Sequence, residues 1–149
     1  MIKTLLSNEY FAFLLRVLLG LTFLAACIDK IADPGGFAMA ITNYKLISGP
    51  LALFVATVLP WIELLCALFI LAGIFRRGSS LLLAVMLVGF TLAVTSGILR
   101  GLDISCGCFT LDPTVGKIGW QKVIENSGLI LASVALFFSE TREYRIKID

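Results

Sequence analysis

The sequence has 149 residues, of which 59% are hydrophobic and only 15% are charged, and its mean hydropathy is +1.00. Soluble domains contain about 45–50% apolar and about 25% charged residues, so this composition indicates an integral membrane protein. A net charge of +2 is too small to indicate nucleic-acid binding. Because histidine is absent, His-ligated zinc, copper and haem sites and Cys–His catalytic pairs are excluded.

Four hydrophobic segments predict an all-α fold, a four-transmembrane-helix bundle. The first three segments are long enough to cross about 30 Å of hydrocarbon, and the fourth becomes apolar only after Glu125-Asn126-Ser127-Gly128. Helices are expected because a spanning segment must satisfy its own backbone hydrogen bonds. The predicted spans, within a single domain of residues 1–149, are 11–31, 51–75, 81–99 and 123–138.

The distribution of basic residues predicts how the spans are oriented. Arg76-Arg77-Gly78 predicts a tight turn between spans two and three, which are then antiparallel neighbours. Basic residues favour the cytoplasmic side of a membrane, and the paired arginines lie in the shortest loop. We therefore expect a protein of the bacterial inner (cytoplasmic) membrane with both termini in the cytoplasm. Residues 32–50 and 100–122 would then face the periplasm.

The first outer loop is predicted to contain a short interfacial helix after the first span. Phe37, Ile41, Tyr44 and Ile47 recur at helical spacing, as in a helix that lies in the membrane interface. Tyr44 and Trp120 are the aromatic residues expected to anchor the protein at the interface.

Cys27 and Cys66 lie within predicted spans. Leu24-Ala25-Ala26-Cys27 is similar to a lipoprotein cleavage site, but Arg16 interrupts the preceding apolar stretch, which argues against a signal peptide. Counted from the outer ends of their spans, Cys27 is about 6 Å deep and Cys66 about 22 Å deep. A disulfide needs Cα atoms within about 7 Å, so we expect two buried packing thiols.

Cys106-Gly107-Cys108 is the motif with the most distinctive chemistry, and it lies in the second outer loop. Thiols outside the inner membrane tend to be oxidised. A disulfide between two cysteines that are separated by a single residue closes a very small ring. Strained, exposed disulfides are the labile and catalytic kind, so Cys106 and Cys108 are candidate redox residues that exchange with a partner. The alternatives are a structural disulfide that pins the loop and a site for the soft metals Cu(I) or Hg(II).

Arg16 and Glu63 are charges within apolar spans. Such charges are costly in a membrane and are usually paired or functional. Counting along the spans places them at similar depths, so we predict an Arg16–Glu63 ion pair. This pair would either stabilise the fold or contact the head group of a quinone. Pro60, one turn before Glu63, is expected to kink span two and to free the carbonyl of Ala56.

Four charged residues flank the cysteine motif in the sequence, namely Arg100, Asp103, Lys122 and Glu125. Basic neighbours would lower a thiol pKa, and a carboxylate would accept a proton during exchange. The alternative is that these charges are only solvated.

A set of short motifs lies along nearly the whole chain, namely Arg16, Leu19-Gly20, Phe23, Lys30-Ile31-Ala32-Asp33-Pro34, Phe37, Ile41, Tyr44, Leu59-Pro60-Trp61-Ile62-Glu63, Gly73, Arg77, Arg100-Gly101 and Cys106-Gly107-Cys108-Phe109. Together these motifs resemble the DoxX-like membrane proteins, and within them the branch of MauE, a methylamine utilisation protein. Thr110 stands where a glycine often follows the cysteine motif in that branch.

The resemblance implies a four-helix membrane bundle with a redox-associated role, a periplasmic thioredoxin-like partner and a quinone as a candidate cofactor. The first hypothesis is therefore a redox membrane protein that exchanges electrons through Cys106 and Cys108, and whether it is itself an enzyme stays open. The alternatives are a non-enzymatic accessory subunit of a larger membrane complex and a soft-metal carrier. Small residues of span three, such as Gly89 and Gly97, would suit packing within such a complex.

Overall fold

The structure is a computed structural model that describes residues 9–102 and 119–139. The described residues form five α-helices and no strand, and every helix except the second is long and apolar enough to cross a membrane, as predicted. The helices are α1 (Glu9–Ala32), α2 (Pro34–Asn43), α3 (Pro50–Ala72), α4 (Arg76–Leu99) and α5 (Trp120–Phe138).

The bundle consists mainly of two helix pairs, α1 with α3 and α4 with α5. Leu19, Ile70 and Leu83 are completely buried where the pairs meet, and Leu136 of α5 joins the same cluster. Large apolar side chains such as Phe54 remain exposed. An apolar outer surface is what a bilayer requires, because hydrocarbon rather than water surrounds the helices.

The axial offset between α1 and α3 determines which side chains meet. Gly20 lies directly against Leu71. If Ala32, the end of α1, were level with Pro50, the start of α3, Gly20 would instead lie opposite residue 62. The offset is about nine residues, or roughly 13 Å along the axis. The C-terminal end of α1 therefore lies level with the middle of α3, so the N-terminal part of α3 extends beyond α1 and packs against another helix as its partner.

That partner is α2, the short helix that was predicted after the first span. The Asp33 carboxylate accepts a hydrogen bond from the Gly36 N–H at 2.8 Å, and Pro34 occupies the first helical position. Both features favour a helix start at this point. Phe37 and Ala40 are buried in one cluster with Ala56 of α3, so α2 packs against the bundle.

The turn between α3 and α4 lies earlier than the sequence predicted. We expected Arg76-Arg77-Gly78 to form the turn, but α3 ends at Ala72 and α4 begins at Arg76. Gly73 ends α3 because it adopts the left-handed conformation (φ 79°), which glycine enters without steric cost. Within α3, Pro60 is buried and the helix continues through it; the predicted kink stays a prediction.

Candidate functional site

Glu63 is held by Lys30, a pairing that we did not predict from the sequence. The Lys30 ammonium donates to Glu63 Oε2 at 2.9 Å and to Oε1 at 3.1 Å. Both residues are almost completely buried, at 2% and 1% exposure. A buried charge is tolerated in a membrane when it is paired in this way, so the ion pair joins α1 firmly to α3.

The predicted Arg16–Glu63 ion pair is wrong. The Arg16 guanidinium instead donates to two backbone carbonyls at the end of α3, that of Ile70 at 2.9 Å and that of Leu71 at 2.7 Å. The last carbonyls of a helix have no intrahelical partner, and they attract a cation. Arg16 therefore caps α3 from a neighbouring helix.

The depth count failed because it assumed that the end of α1 and the start of α3 lie at the same level. With the offset described above, Glu63 lies near Lys30 and the end of α3 lies near Arg16. A signal for Lys30 was present in the sequence: it follows Phe23 and Cys27 at helical spacing, and these two residues are buried. That spacing places Lys30 on the face of α1 that points into the bundle.

Two aromatic rings complete the surroundings of the Lys30 ammonium. It lies 5.2 Å from the ring centroid of Phe37 in α2 and 5.2 Å from that of Phe90 in α4. A cation within about 6 Å of a ring centroid is attracted by the ring. Groups from α1, α2, α3 and α4 therefore converge on this ammonium.

The cysteines fall into two sets. Cys27 and Cys66 are free and buried, which confirms the prediction of two packing thiols. Cys106 and Cys108 lie outside the described residues, as does Asp103. The roles predicted for these three residues thus stay predictions.

Arg100 connects the C-terminal ends of α4 and α2. Its guanidinium donates to the backbone carbonyl of Ser96 in α4, at 3.2 Å, and to that of Tyr44, which follows α2. Arg100 therefore fixes the position from which the chain continues towards the cysteine motif.

Tyr44 is buried in the protein, with 5% exposure, and packs with Val94. The prediction that Tyr44 anchors the protein at the interface is therefore wrong. Burial raises the pKa of Tyr44 to about 12, because the phenolate loses hydration. The phenol stays protonated at physiological pH.

Lys122 and Glu125 form an ion pair at the start of α5, where the chain returns from the cysteine motif. The Lys122 Nζ–Glu125 Oε2 distance is 2.8 Å, and both side chains are partly exposed. They border a cleft of about 380 Å³ beside Thr22 of α1. Trp120 is exposed at the beginning of the same helix, as an interface anchor requires.

Comparison with known proteins gives a single family. The sequence profile described as "Methylamine utilisation protein MauE" matches residues 8–139. The chain is 29% identical to the methylamine utilization protein MauE of Methylophilus methylotrophus over 91% of this chain and 70% of the relative. It is 31% identical to the protein of the same name from Methylorubrum extorquens over 91% of this chain and 73% of the relative.

A third relative is the methylamine utilization protein MauE of Paracoccus denitrificans, with 29% identity over 82% of this chain and 64% of the relative. No solved structure matches the chain. The comparisons bear out the predicted MauE branch, whereas the wider DoxX-like grouping stays a prediction.

Proposed function

This chain belongs to the MauE family, and from this membership we propose that it is a membrane-embedded accessory protein of methylamine utilisation. Within that role, we propose that it exchanges thiols and disulfides through Cys106 and Cys108 with a periplasmic thioredoxin-like protein. The family match carries the first part of the proposal. The second part rests on two cysteines separated by one glycine, an arrangement that favours a labile disulfide.

The described helix ends on either side of the motif support this proposal. The chain leaves α4 at Arg100, which is bonded to Tyr44, and returns at Gly119, just before the Lys122–Glu125 pair. The intervening segment thus departs from a helix end that Arg100 ties to Tyr44 and returns to the start of α5. We propose that these ends face the periplasm, where disulfides persist, and that both termini lie in the cytoplasm.

The proposed exchange balances as follows. A thiolate of Cys106 or Cys108 attacks a disulfide of the partner, so that the partner's S–S bond breaks and a mixed disulfide forms. The other cysteine of the motif then attacks the mixed disulfide and releases the partner as a dithiol. Two electrons and two protons have moved to the partner, and the relative reduction potentials decide whether this direction or its reverse prevails.

A quinone is the proposed redox partner within the membrane. When a quinone takes two electrons and two protons from the Cys106–Cys108 dithiol, it becomes a quinol and the disulfide forms. A quinol would return the same electrons and protons in the reverse direction. The dithiol thus connects a periplasmic protein with the membrane quinone pool.

The first test is capture of the partner. Cys106→Ala and Cys108→Ala variants each lack one of the two thiols, so one of them should retain the partner as a mixed disulfide. The adduct is measured on non-reducing gels of whole cells, and the trapped protein is identified by mass spectrometry. Cys27→Ala is the matched control, because Cys27 is buried and its replacement should trap nothing.

The outcomes separate the proposal from its main alternative. A mixed disulfide in one motif variant, together with loss of methylamine-dependent growth, supports thiol exchange. If neither variant traps a partner and both support growth, thiol exchange is wrong. Co-purification with a larger membrane complex under those conditions would then assign the protein a structural accessory role.

A further inference from the structure

A cavity of about 340 Å³ lies between α2, α3 and α4. Its lining is almost entirely apolar and includes aromatic rings from α2 and α4. Sites for small molecules typically have volumes of about 300–1,000 Å³ and a mostly apolar lining. The lining residues used below are Phe37, Tyr44, Leu46, Gly89 and Phe90.

Gly89 gives the cavity a flat wall. A Cβ atom built at Gly89 meets nothing within 4 Å, so the backbone of α4 is bare at this position. A planar group can therefore approach the helix closely. Leu46 and Gly89 are both exposed, so the cavity opens on the surface of the bundle and a ligand dissolved in the bilayer can enter.

The buried ion pair lies directly behind the aromatic wall. Phe37 and Phe90 line the cavity, and the Lys30 ammonium lies 5.2 Å from the centroid of each ring. Lys30 is thus the member of the pair that contacts the wall, and Glu63 holds it there. Charges are expensive inside a membrane and are a sign of function.

The position of the Lys30 ammonium indicates which class of ligand the cavity would bind. Lys30 and Glu63 form a neutral ion pair whose positive end faces the two rings. In a low-dielectric site, the positive end of such a dipole stabilises negative charge that develops on a nearby group. A ring that accepts electrons develops such charge on its carbonyl oxygens, whereas a saturated acyl chain does not. The cavity therefore favours a planar electron-accepting ring over a lipid chain, because it combines a bare backbone with two phenylalanine rings and a cation behind them.

We propose that this cavity binds the ring of a membrane quinone, with the hydrocarbon tail leaving through the opening into the bilayer. The inference deepens the proposed function, because it rests on the quinone as redox partner and locates the quinone site. Binding itself requires only the cavity, so it can be measured independently of the cysteines.

The test measures binding of decylubiquinone to the purified full-length chain in detergent. Gly89→Leu introduces a side chain into the cavity, and we expect it to weaken the affinity at least tenfold. Gly128→Leu is the matched control, because Gly128 is also an exposed helical glycine with open space around it but lies in α5. The control should bind decylubiquinone within twofold of the wild-type chain.

Two further measurements make the result independent of how well the variants fold. An azido-quinone should photolabel peptides of the wild-type chain that contain Phe37–Tyr44 or Gly89–Ala93. Didecanoyl phosphatidylcholine supplies the same chain length without the ring, and it should not compete. Equal competition by this phospholipid, labelling confined to other peptides, or full binding by Gly89→Leu would each overturn the inference.

A Cys106→Ala/Cys108→Ala variant separates this inference from the proposed function. We expect it to bind decylubiquinone with wild-type affinity, because the described lining of the cavity comes from α2, α3, α4 and the residues that follow α2. If quinone binds and the partner trap fails, the thiol exchange is wrong and the quinone site stands. If the trap succeeds and no quinone binds, only the quinone site is wrong.

Discussion

Lys30 and Glu63 illustrate how an apolar bundle holds two charged residues. Neither side chain reaches the surface, and the ammonium is enclosed by one carboxylate and two rings. Losing one partner would leave the other charge buried and uncompensated, which typically costs about 3–5 kcal/mol. Replacing both partners by apolar groups of similar volume is often neutral.

We therefore expect Lys30→Met and Glu63→Leu each to lower the thermal unfolding temperature of the purified protein, and the double variant to recover most of the loss. Lys122→Met is the control, because the Lys122–Glu125 pair is partly exposed and such pairs are worth about 0–1 kcal/mol. A double variant less stable than either single variant would contradict this account. Single variants as stable as the wild type would contradict it as well.

At the level of the helices, the end of α3 is stabilised by a residue of another helix. The Gly73 N–H bonds to the carbonyl of Ile70 at 3.2 Å, and the Ile74 N–H bonds to that of Phe69 at 3.0 Å. Arg16 adds its two hydrogen bonds to the same end of the helix. A charged residue in the first span thereby stabilises the end of the second span, which Gly73 terminates.

Gly73→Ala should destabilise the protein for two reasons. An L-residue in the left-handed region costs about 1–2 kcal/mol, and the added Cβ would lie 2.6 Å from Arg16 Nη2. The lowered unfolding temperature is measured by thermal unfolding in detergent. In an Arg16→Ala background, the part of the destabilisation that comes from the contact with Arg16 should disappear. Gly78→Ala is the control, since Gly78 lies in α4 with open space around it. If Gly73→Ala is as stable as this control, the explanation is wrong.

For the molecule as a whole, the burial of the cysteines permits a test of sidedness. Cys27 and Cys66 are 0% and 5% exposed, whereas the motif cysteines lie in a segment that we place outside the cytoplasm. After mild reduction of intact cells, a membrane-impermeant maleimide should label Cys106 and Cys108.

Cys27 and Cys66 provide the internal control for this labelling, because they should react only after denaturation. Mass analysis of the cysteine peptides reports both results in one experiment. Labelling of Cys106 and Cys108 that requires permeabilised cells would place the motif on the cytoplasmic side and contradict the proposed orientation.

The features that follow from local pattern were predictable from the sequence. The four spans follow from long apolar runs, and α2 follows from helical spacing after Asp33-Pro34. Burial of Cys27 and Cys66 follows from their apolar neighbours. In each case the deciding residues lie within a few helical turns of one another, so local composition and spacing are sufficient.

Only the tertiary structure decided which side chains meet. A continuous apolar sequence does not indicate the axial position of its helix relative to another helix, because two such helices bury a similar apolar area in every register. One register is selected by the close contact of Gly20 with Leu71 and by the packing of α2 against the N-terminal part of α3. That register pairs Glu63 with Lys30, sends Arg16 to the end of α3 and leaves the cavity beside Phe90.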